Sequence, residues 1–194
     1  MIDAGPLPAT DPPTEIRVGP GGWRVERAGA FPEEELRRRA ALQIVFVCTG
    51  NTCRSPLAEA LCKAALARRL GCPPEELPAR GFDILSAGVA AYEGCPASPE
   101  AVAVAAELGA DLRSHRSRAV SPELLVGADL LVAVGRSHRE ILRAVLGAEG
   151  GKVRLLCEDA DVPDPIGGDR EVYRACARTI ADQVERLVSE WHSQ

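Results

Sequence analysis

The chain is poor in aromatic residues, histidine and methionine, and it has no long hydrophobic run. Since a membrane-spanning helix needs about 20 consecutive apolar residues, we expect no membrane span. The three histidines and the cysteines show no spacing typical of metal ligands, so we expect neither a metal nor another cofactor. The net charge is −5, and the basic residues are interleaved with acidic ones, which argues against nucleic acid as a partner.

Cysteine is present, but its number argues against a disulfide framework. Seven cysteines form an odd count without a recognisable pairing pattern, which is typical of reduced thiols inside a cell. We also expect no signal peptide, so the predicted location is the cytoplasm. The hydrophobic fraction of 46% over 194 residues suffices for one well-packed domain plus an appendage.

The most informative stretch is residues 45–56, with the sequence VFVCTGNTCRSP. The apolar run 42–47 predicts a strand that ends at Cys48, and residues 57–70 predict a helix. A strand, a short turn and a helix aim successive backbone N–H groups at one point, which suits an anion. The helix N-terminus and Arg54 both favour a thiolate at Cys48, so we predict nucleophilic attack on phosphorus.

Other residues of this turn have types that suit the same chemistry. Gly50 permits a positive φ, and Asn51 tolerates the left-handed region. Arg54 can bind two phosphoryl oxygens at once. Ser55 is predicted either to cap the helix or to steady the thiolate with its hydroxyl group. No Gly-Lys-Ser/Thr sequence follows the turn, so it is not a Walker loop, which argues against nucleotide binding.

Residues 48–55 match without gaps the pattern of Cys, five residues, Arg and Ser, and from about residue 43 onwards the chain resembles the low-molecular-weight protein tyrosine phosphatases. The resemblance implies a phosphatase that forms a phosphocysteine intermediate on phosphorylated proteins and releases inorganic phosphate. It implies three catalytic residues, Cys48, Arg54 and Asp164. It further implies that the phosphate is bound, or the loop supported, by Thr49, Gly50, Asn51, Thr52, Cys53, Ser55, Ser86 and His115.

The segment 161–168, DVPDPIGG, is the predicted source of the general acid. Departure of the leaving group requires a proton, which a carboxyl group on a mobile loop can deliver. Asp164 precedes Pro165 and matches the Asp-Pro acid of the family, while Asp161 is the competing candidate. Family tyrosine phosphatases often carry aromatic residues after Asp-Pro. The Ile-Gly-Gly sequence found here disfavours phosphotyrosine.

Thr52 indicates the substrate. Family tyrosine phosphatases generally have isoleucine or a similar apolar residue at this position, whereas bacterial protein arginine phosphatases of the family resemble the TGNTC sequence found here. A threonine hydroxyl can accept a hydrogen bond from a guanidinium, while isoleucine would press against a phenol ring. We therefore predict phosphoarginine as the substrate, with phosphotyrosine as the alternative. The alternative is that Thr52 has no role in specificity and is simply a tolerated β-branched residue that faces the loop interior.

Apolar segments alternate with helical ones along the rest of the chain, which predicts an α/β fold. Strands that are apolar on both faces favour a parallel sheet with helices on both sides. The resemblance implies a three-layer sandwich whose four-stranded sheet has the order 2-1-3-4. The predicted strands are 42–47, 82–87, 128–134 and 153–156, and the predicted helices are 57–70, 98–108, 122–126, 137–146 and 169–191.

Residues 1–41 differ in composition from the predicted phosphatase domain, residues 42–194. They are predicted to be an N-terminal extension or the tail of a preceding domain. Residues 14–26 alternate around a glycine-rich turn and predict a hairpin with Trp23 as its packing anchor, and residues 30–41 predict a short charged helix. This segment resembles the C-terminal end of threonylcarbamoyl-AMP synthase, which implies a fused synthase domain.

The sequence also gives predictions for two histidines, one tyrosine and the second cysteine near the turn. His138 and His192 are expected on solvent-facing surfaces, and Tyr92 is expected either as a wall of the cleft or on the surface. Cys53 is predicted either to form a reversible disulfide with Cys48 or to fill a small space in the core.

Two other functions compete with a phosphatase. An arsenate reductase on the same scaffold would need resolving cysteines close together after the loop, and Cys95 stands alone in that region. A phosphate-binding module without catalysis would leave the combination of thiol, arginine and acid unexplained.

Overall fold

The computed structural model describes residues 12–19 and 22–191. Its strands are β1 (Glu15–Gly19), β2 (Gly22–Arg27), β3 (Leu42–Cys48), β4 (Phe82–Gly88), β5 (Leu130–Ala133) and β6 (Val153–Leu155). Its helices are α1 (Glu33–Arg39), α2 (Arg54–Leu70), α3 (Pro99–Glu107), α4 (Pro122–Gly127), α5 (Arg136–Leu146) and α6 (Arg170–Glu190). Short 3₁₀ turns cover Pro74–Glu76, Pro78–Arg80 and Gly147–Lys152.

Four of the strands form one parallel sheet with the order β4-β3-β5-β6. The predicted order 2-1-3-4 is therefore confirmed. Val47 pairs with Ala87 on one side and with Ala133 on the other, and Cys48 pairs with Gly88. The carboxyl ends of β4, β3 and β5 are thus level with one another, and the loops that follow them meet at one edge of the sheet.

Helices cover both faces of this sheet. Side chains alternate between faces along a strand, and β3 shows this directly. Ile44 and Phe46 belong to a buried cluster with residues of α2, α3 and α6, whereas Val45 and Val47 belong to a second cluster with residues of α4 and α5. All four side chains are fully buried. The predicted three-layer sandwich is confirmed, with β3 at its centre.

The segment before β3 contains an antiparallel hairpin, β1 and β2, followed by α1. The hairpin tip, residues 20–21, lies outside the described residues. Helix α1 packs against the turn Pro78–Arg80 of the main body. The predicted anchor Trp23 is half-buried, with the Arg37 guanidinium 5.1 Å from its ring centroid. The division of the chain at residue 42 stays a prediction.

Candidate active site

Cys48 is the last residue of β3, and Arg54 is the first residue of α2, so the loop 49–53 joins them directly. The Cys48 side chain is buried, with 2% of its surface exposed. Asn51 has φ 55°, and it is the sole non-glycine residue with a positive φ in the described part of the chain. The predicted left-handed turn at Asn51 is present, and it lets the chain reverse within five residues.

Four carbonyl groups in and beside this loop accept hydrogen bonds from neighbouring segments. The donors are Val89 N to Cys48 at 2.9 Å, Ala90 N to Thr49 at 3.0 Å, His115 Nε2 to Asn51 at 2.8 Å and Ser98 N to Thr52 at 2.9 Å. Within the loop, Asn51 N donates to Cys48 Sγ at 3.2 Å. This geometry is compatible with an anion cradle, meaning a site where N–H groups of the loop bind an anion, and the binding of phosphate there stays a prediction.

Gly88 explains how the loop comes so close to β4. A Cβ atom at this position would lie 2.4 Å from the Thr49 carbonyl oxygen and 3.0 Å from Asn51 N. Contacts of that length are not tolerated, so any larger residue here would displace the loop. The glycine that ends the second strand of the sheet is needed for backbone approach rather than for flexibility.

Ser55 resolves a choice that the sequence left open. Helix α2 begins at Arg54, its N-cap residue is Cys53, and no side chain caps it, so the prediction of Ser55 as the N-cap is wrong. Instead Ser55 Oγ lies 2.9 Å from Cys48 Sγ and 3.2 Å from the Ala87 carbonyl oxygen. The serine hydroxyl group is thus within hydrogen-bonding distance of the Cys48 sulfur. This agrees with the alternative prediction, in which Ser55 steadies the thiolate.

Asn51 is held by a network of side chains. Its Nδ2 donates to Ser55 Oγ and Ser86 Oγ, both at 2.9 Å, and its Oδ1 accepts from Arg118 N at 2.8 Å. All of its hydrogen-bonding atoms are therefore used, including the carbonyl group that His115 binds. The structure places Ser86 and His115 on Asn51, where the resemblance implied them. The energy of a strained, buried backbone is offset by these bonds.

Glu59 extends this network and was not identified from the sequence. Ser86 Oγ donates to Glu59 Oε2 at 2.6 Å, and Glu59 Oε1 binds Lys63 Nζ at 2.5 Å. A glutamate inside a helix gives no sequence signal beyond the ordinary pairing with lysine four residues later. Its second carboxylate oxygen acquires a role only when α2 packs beside β4.

Arg54 and Asp164 meet across the mouth of the loop. Arg54 Nη2 donates to Asp164 Oδ2 at 2.5 Å, and Arg54 Nη1 lies 3.4 Å from the Val162 carbonyl oxygen. The Arg54 side chain is 10% exposed, while that of Asp164 is 44% exposed. Asp164 Oδ1 also accepts from Ile166 N at 3.2 Å. The structure therefore brings the predicted nucleophile, arginine and acid to one edge of the sheet.

Asp161, the alternative candidate for the general acid, binds the start of α5. Its Oδ1 accepts a hydrogen bond of 2.9 Å from Arg136 N, at the start of α5. A carboxylate at a helix N-terminus satisfies an N–H group that has no partner within the helix. Asp161 therefore ties residues 161–168, called the acid loop below, to α5, and Asp164 is the aspartate that faces Arg54.

Cys53 and Thr52 lie on the side of the loop nearest α3 and α6. Cys53 Sγ is 3.4 Å from both Ser98 Oγ and the Tyr173 hydroxyl group. Burial together with the hydrogen bond to Cys53 raises the pKa of Tyr173 to about 12.

Thr52 is half-buried, and its Oγ1 lies 3.7 Å from Cys53 Sγ. Both cysteines of the loop are free thiols, and the predicted regulatory disulfide stays a prediction.

His138 was expected at the surface, and this expectation is wrong. Its side chain is buried, with 5% exposure, and its Nε2 lies 2.9 Å from Thr49 Oγ1. Burial and the nearby Arg54 guanidinium lower its pKa, although Asp161 and Asp164 act in the opposite direction. The sequence did offer one indication of this position, because His138 follows β5 at the edge of the sheet where the site forms.

Other predicted residues lie outside the loop network. Tyr92 is 84% exposed, so its side chain lies on the surface. His192 falls outside the described part of the chain. Across residues 12–19 and 22–191, no group of three or more His, Cys, Asp and Glu side chains could hold a metal ion.

Comparison with known proteins identifies the family. The model of the low molecular weight phosphotyrosine protein phosphatase family matches residues 43–194. The chain belongs to this family. It is a phosphatase, and its four-stranded sheet and surrounding helices are those of the family's solved structures. The family match does not extend to residues 1–42, so the resemblance of that segment to a synthase stays a prediction.

Relatives of this phosphatase carry two kinds of name. A protein-arginine-phosphatase of Geobacillus stearothermophilus is 34% identical over 157 residues, which are 78% of this chain and 97% of that protein. A probable low molecular weight protein-tyrosine-phosphatase, EpsP of Ralstonia solanacearum, is 36% identical over 150 residues, which are 76% and 92% of the two chains.

A solved structure adds a chemical observation. It is the arginine phosphatase YwlE in a mutant form with a phosphorylated active-site serine, 35% identical to this phosphatase. The TM-score is 0.68, and the match covers 76% of this chain and 94% of that chain. In that relative, a side-chain oxygen of the active site carries a phosphoryl group, which is consistent with a phosphorylated enzyme intermediate in the family.

Proposed function

We propose that this phosphatase hydrolyses phosphoarginine in proteins through a phosphocysteine at Cys48. Thr52 carries the proposal, because this small residue with a hydroxyl group stands in the loop that joins Cys48 to Arg54. The relatives named as arginine phosphatases support it. The substrate partners would be phosphorylated proteins, and inorganic phosphate would be the product. The seven free thiols support the prediction of a cytoplasmic location.

In the first step, the phosphoryl group enters the cradle and its oxygens accept hydrogen bonds from the loop N–H groups. Arg54 binds the same oxygens, so the phosphoryl group replaces Asp164 as the partner of Arg54 Nη2. The carboxyl group is then free for proton transfer. Cys48 Sγ attacks phosphorus in line, the P–N bond breaks, and Asp164 protonates the leaving guanidine nitrogen.

In the second step, a water molecule replaces the leaving group. Asp164, now a carboxylate, accepts a proton from this water as its oxygen attacks phosphorus and the S–P bond breaks. Cys48 leaves as a thiolate, which the Ser55 hydroxyl group can stabilise from 2.9 Å. Inorganic phosphate then leaves the cradle, and the enzyme returns to its starting state.

The proposed specificity depends on size and hydrogen bonding at Thr52. A Cβ atom built on Gly50 would lie 3.7 Å from Thr52 Oγ1, so the hydroxyl group lies beside the backbone of Gly50 in the same loop. A guanidinium has several N–H donors and gains from an acceptor there, whereas a phenol ring gains from an apolar surface. The exposed Ile166 provides no aromatic ring beside the mouth of the site.

Phosphotyrosine hydrolysis is the second candidate. It is favoured by the tyrosine-phosphatase relative of similar identity and by the family name itself. An arsenate reductase is not favoured, because Cys95 is the one cysteine in the loop after β4 and its backbone N–H is bound to Ser117 Oγ at 2.9 Å.

The test is a comparison of kcat/KM on phosphoarginine and phosphotyrosine peptides of the same sequence. Thr52→Val removes the hydroxyl group at nearly constant size, and Thr52→Ile adds bulk, so the pair separates hydrogen bonding from steric selection. We expect wild type to prefer phosphoarginine and Thr52→Ile to shift towards phosphotyrosine. Cys48→Ser serves as the inactive control. A wild-type preference for phosphotyrosine would overturn the proposal and leave the two-step chemistry intact.

A further inference from the structure

His138 is a buried polar residue that the proposed chemistry does not use. It lies in the first turn of α5, and 5% of its surface is exposed. Its Nε2 is within 2.9 Å of Thr49 Oγ1, and Thr49 directly follows the nucleophile. Thr49 is also bound through its carbonyl group to Ala90 N at 3.0 Å. The imidazole is therefore the side-chain support of the loop residue next to Cys48.

The other imidazole nitrogen faces the acid loop. His138 Nδ1 is buried, and no hydrogen-bond partner for it is present among the described residues. A Cβ atom at Gly135 would lie 3.3 Å from His138 Nδ1 and also 3.3 Å from Asp161 Cγ, so the ring and the carboxylate flank the same glycine. A bulkier residue at position 135 would crowd both groups. Gly135 thus permits the close approach of the imidazole to the acid loop.

The groups around His138 favour an uncharged ring. Arg54 faces it from α2, and Asp161 and Asp164 face it from the acid loop. Burial and Arg54 outweigh the two carboxylates and lower the pKa of His138. An uncharged imidazole has one N–H and one acceptor nitrogen, so it forms a directed bond with a hydroxyl group rather than an ion pair.

We propose that His138 is a positioning residue of the phosphatase reaction, acting through its hydrogen bond to Thr49 to hold the first turn of the phosphate cradle against the start of α5. The N-terminal end of α5 is fixed in turn, because Asp161 binds Arg136 N and Val162 N binds the Val134 carbonyl oxygen at 2.9 Å. The corner between β5 and α5 therefore connects the phosphate loop, residues 49–53, to the acid loop.

The consequence is a defined effect on catalysis. The cradle N–H groups bind the phosphoryl oxygens in the ground state and in the transition state, so loosening Thr49 weakens both. We expect a lower kcat and a higher inhibition constant for inorganic phosphate when the hydrogen bond is lost. This inference rests on the proposed role of the loop in phosphoryl transfer, and it does not depend on a preference for phosphoarginine.

The experiment uses the full chain and p-nitrophenyl phosphate, with two substitutions at position 138. His138→Gln can place an amide N–H near the position of Nε2, whereas His138→Asn reaches only the position of Nδ1. We expect kcat of the asparagine variant to fall by about 10- to 100-fold, with a parallel rise in the phosphate inhibition constant. The glutamine variant should recover most of both losses.

A double-mutant cycle identifies the partner. Thr49→Val removes the hydroxyl group from an exposed residue, so this variant is expected to fold even if a substitution at the buried position 138 does not. Thr49→Val alone should reproduce the loss, and the double variant with His138→Asn should lose little more than either single variant.

The inference is overturned if Thr49→Val has wild-type kcat and wild-type phosphate inhibition. It is also overturned if the losses of the two single variants simply add, or if His138→Asn lowers only the melting temperature. Failure of the two-step chemistry itself would be recognised separately, because Cys48→Ser would then retain turnover with the loop unchanged.

Discussion

At the scale of single residues, the site is built from side chains with more than one partner. Asn51 contacts Ser55, Ser86 and Arg118 through its side chain, and its carbonyl group binds His115. These bonds hold Asn51 in its left-handed conformation. Among the described residues, Asn51 is the one non-glycine residue with a positive φ. The position of the cradle therefore depends on residues that do not themselves touch the phosphoryl group.

The two aspartates of the acid loop provide the first prediction at this scale. Asp164→Asn removes the proton donor beside Arg54, and we expect kcat to fall by about 100-fold or more. Asp161→Asn is the matched control, because it removes a carboxylate three residues earlier in the same loop. We expect it to leave kcat near that of wild type and to change stability by less than about 1 kcal/mol, because the amide oxygen can still accept the hydrogen bond from Arg136 N. Steady-state kinetics and thermal unfolding measure both effects, and similar losses of kcat would contradict the assignment.

The second prediction at this scale concerns pH. Because the pKa of His138 is lowered from its ordinary value of 6.5, the unfolded chain takes up a proton at this residue before the folded chain does. The free energy of unfolding should therefore decrease as the pH falls below about 6.5. His138→Gln has no such group, so its melting temperature should depend less on pH between 7.5 and 5.5. Equal slopes for the two proteins would show that His138 is not held in its neutral form.

At the scale of elements, α2 carries the site and α6 supports α2. The two helices pack along their length, and the buried face of α6 contributes to the same cluster as Cys48. Asp169 caps α6 with its carboxylate, which accepts from Glu171 N at 3.0 Å and from Val172 N at 3.1 Å. The buried residues of α6 are Tyr173, Cys176, Ala177, Ile180, Val184 and Val188.

Ile180 provides the prediction at this scale. Its side chain is fully buried, and Ile180→Ala leaves a cavity at the centre of this packing. We expect a loss of about 2–5 kcal/mol in the free energy of unfolding, measured by urea denaturation. Ile141→Ala is the control, since Ile141 is 46% exposed and should change stability by much less. An equally small change at Ile180 would mean that α6 contributes little to the core.

At the scale of the whole molecule, the site lies where three strand ends meet, and the N-terminal segment lies elsewhere. Helix α1 contacts the turn Pro78–Arg80, which precedes the amino-terminal end of β4. The phosphate loop, by contrast, follows the carboxyl end of β3. None of the site contacts described above involves a residue before Leu42. Within the described residues, no helix is long and apolar enough to cross a membrane.

The prediction at this scale is that residues 41–194 suffice for catalysis. We expect a protein truncated before residue 41 to keep kcat and KM on p-nitrophenyl phosphate within about twofold of the full chain, since a domain with its own core folds alone. Its melting temperature should fall slightly, because the contact of α1 with the body is lost. An insoluble or inactive truncation would show that the first segment is part of the phosphatase domain.

The family resemblance implied the order of the parallel sheet. The amino-acid sequence by itself determined the strand, loop and helix around Cys48 and the positions of Arg54 and Asp164. These features depend on local patterns: an apolar run, the spacing of a short motif, and a proline after an aspartate. Such patterns fix the backbone within a few residues of themselves, which is why they can be recognised without a structure.

Only the tertiary structure decided which side chains meet. It placed Ser55 on the sulfur rather than at a helix cap, engaged Asp161 with α5, and buried His138 against Thr49. Thr49 and His138 are 89 residues apart in the chain, and they meet because β3 and β5 are neighbours in the sheet. A contact of this kind depends on strand order and packing, and these distant partners leave no pattern in the sequence near either residue.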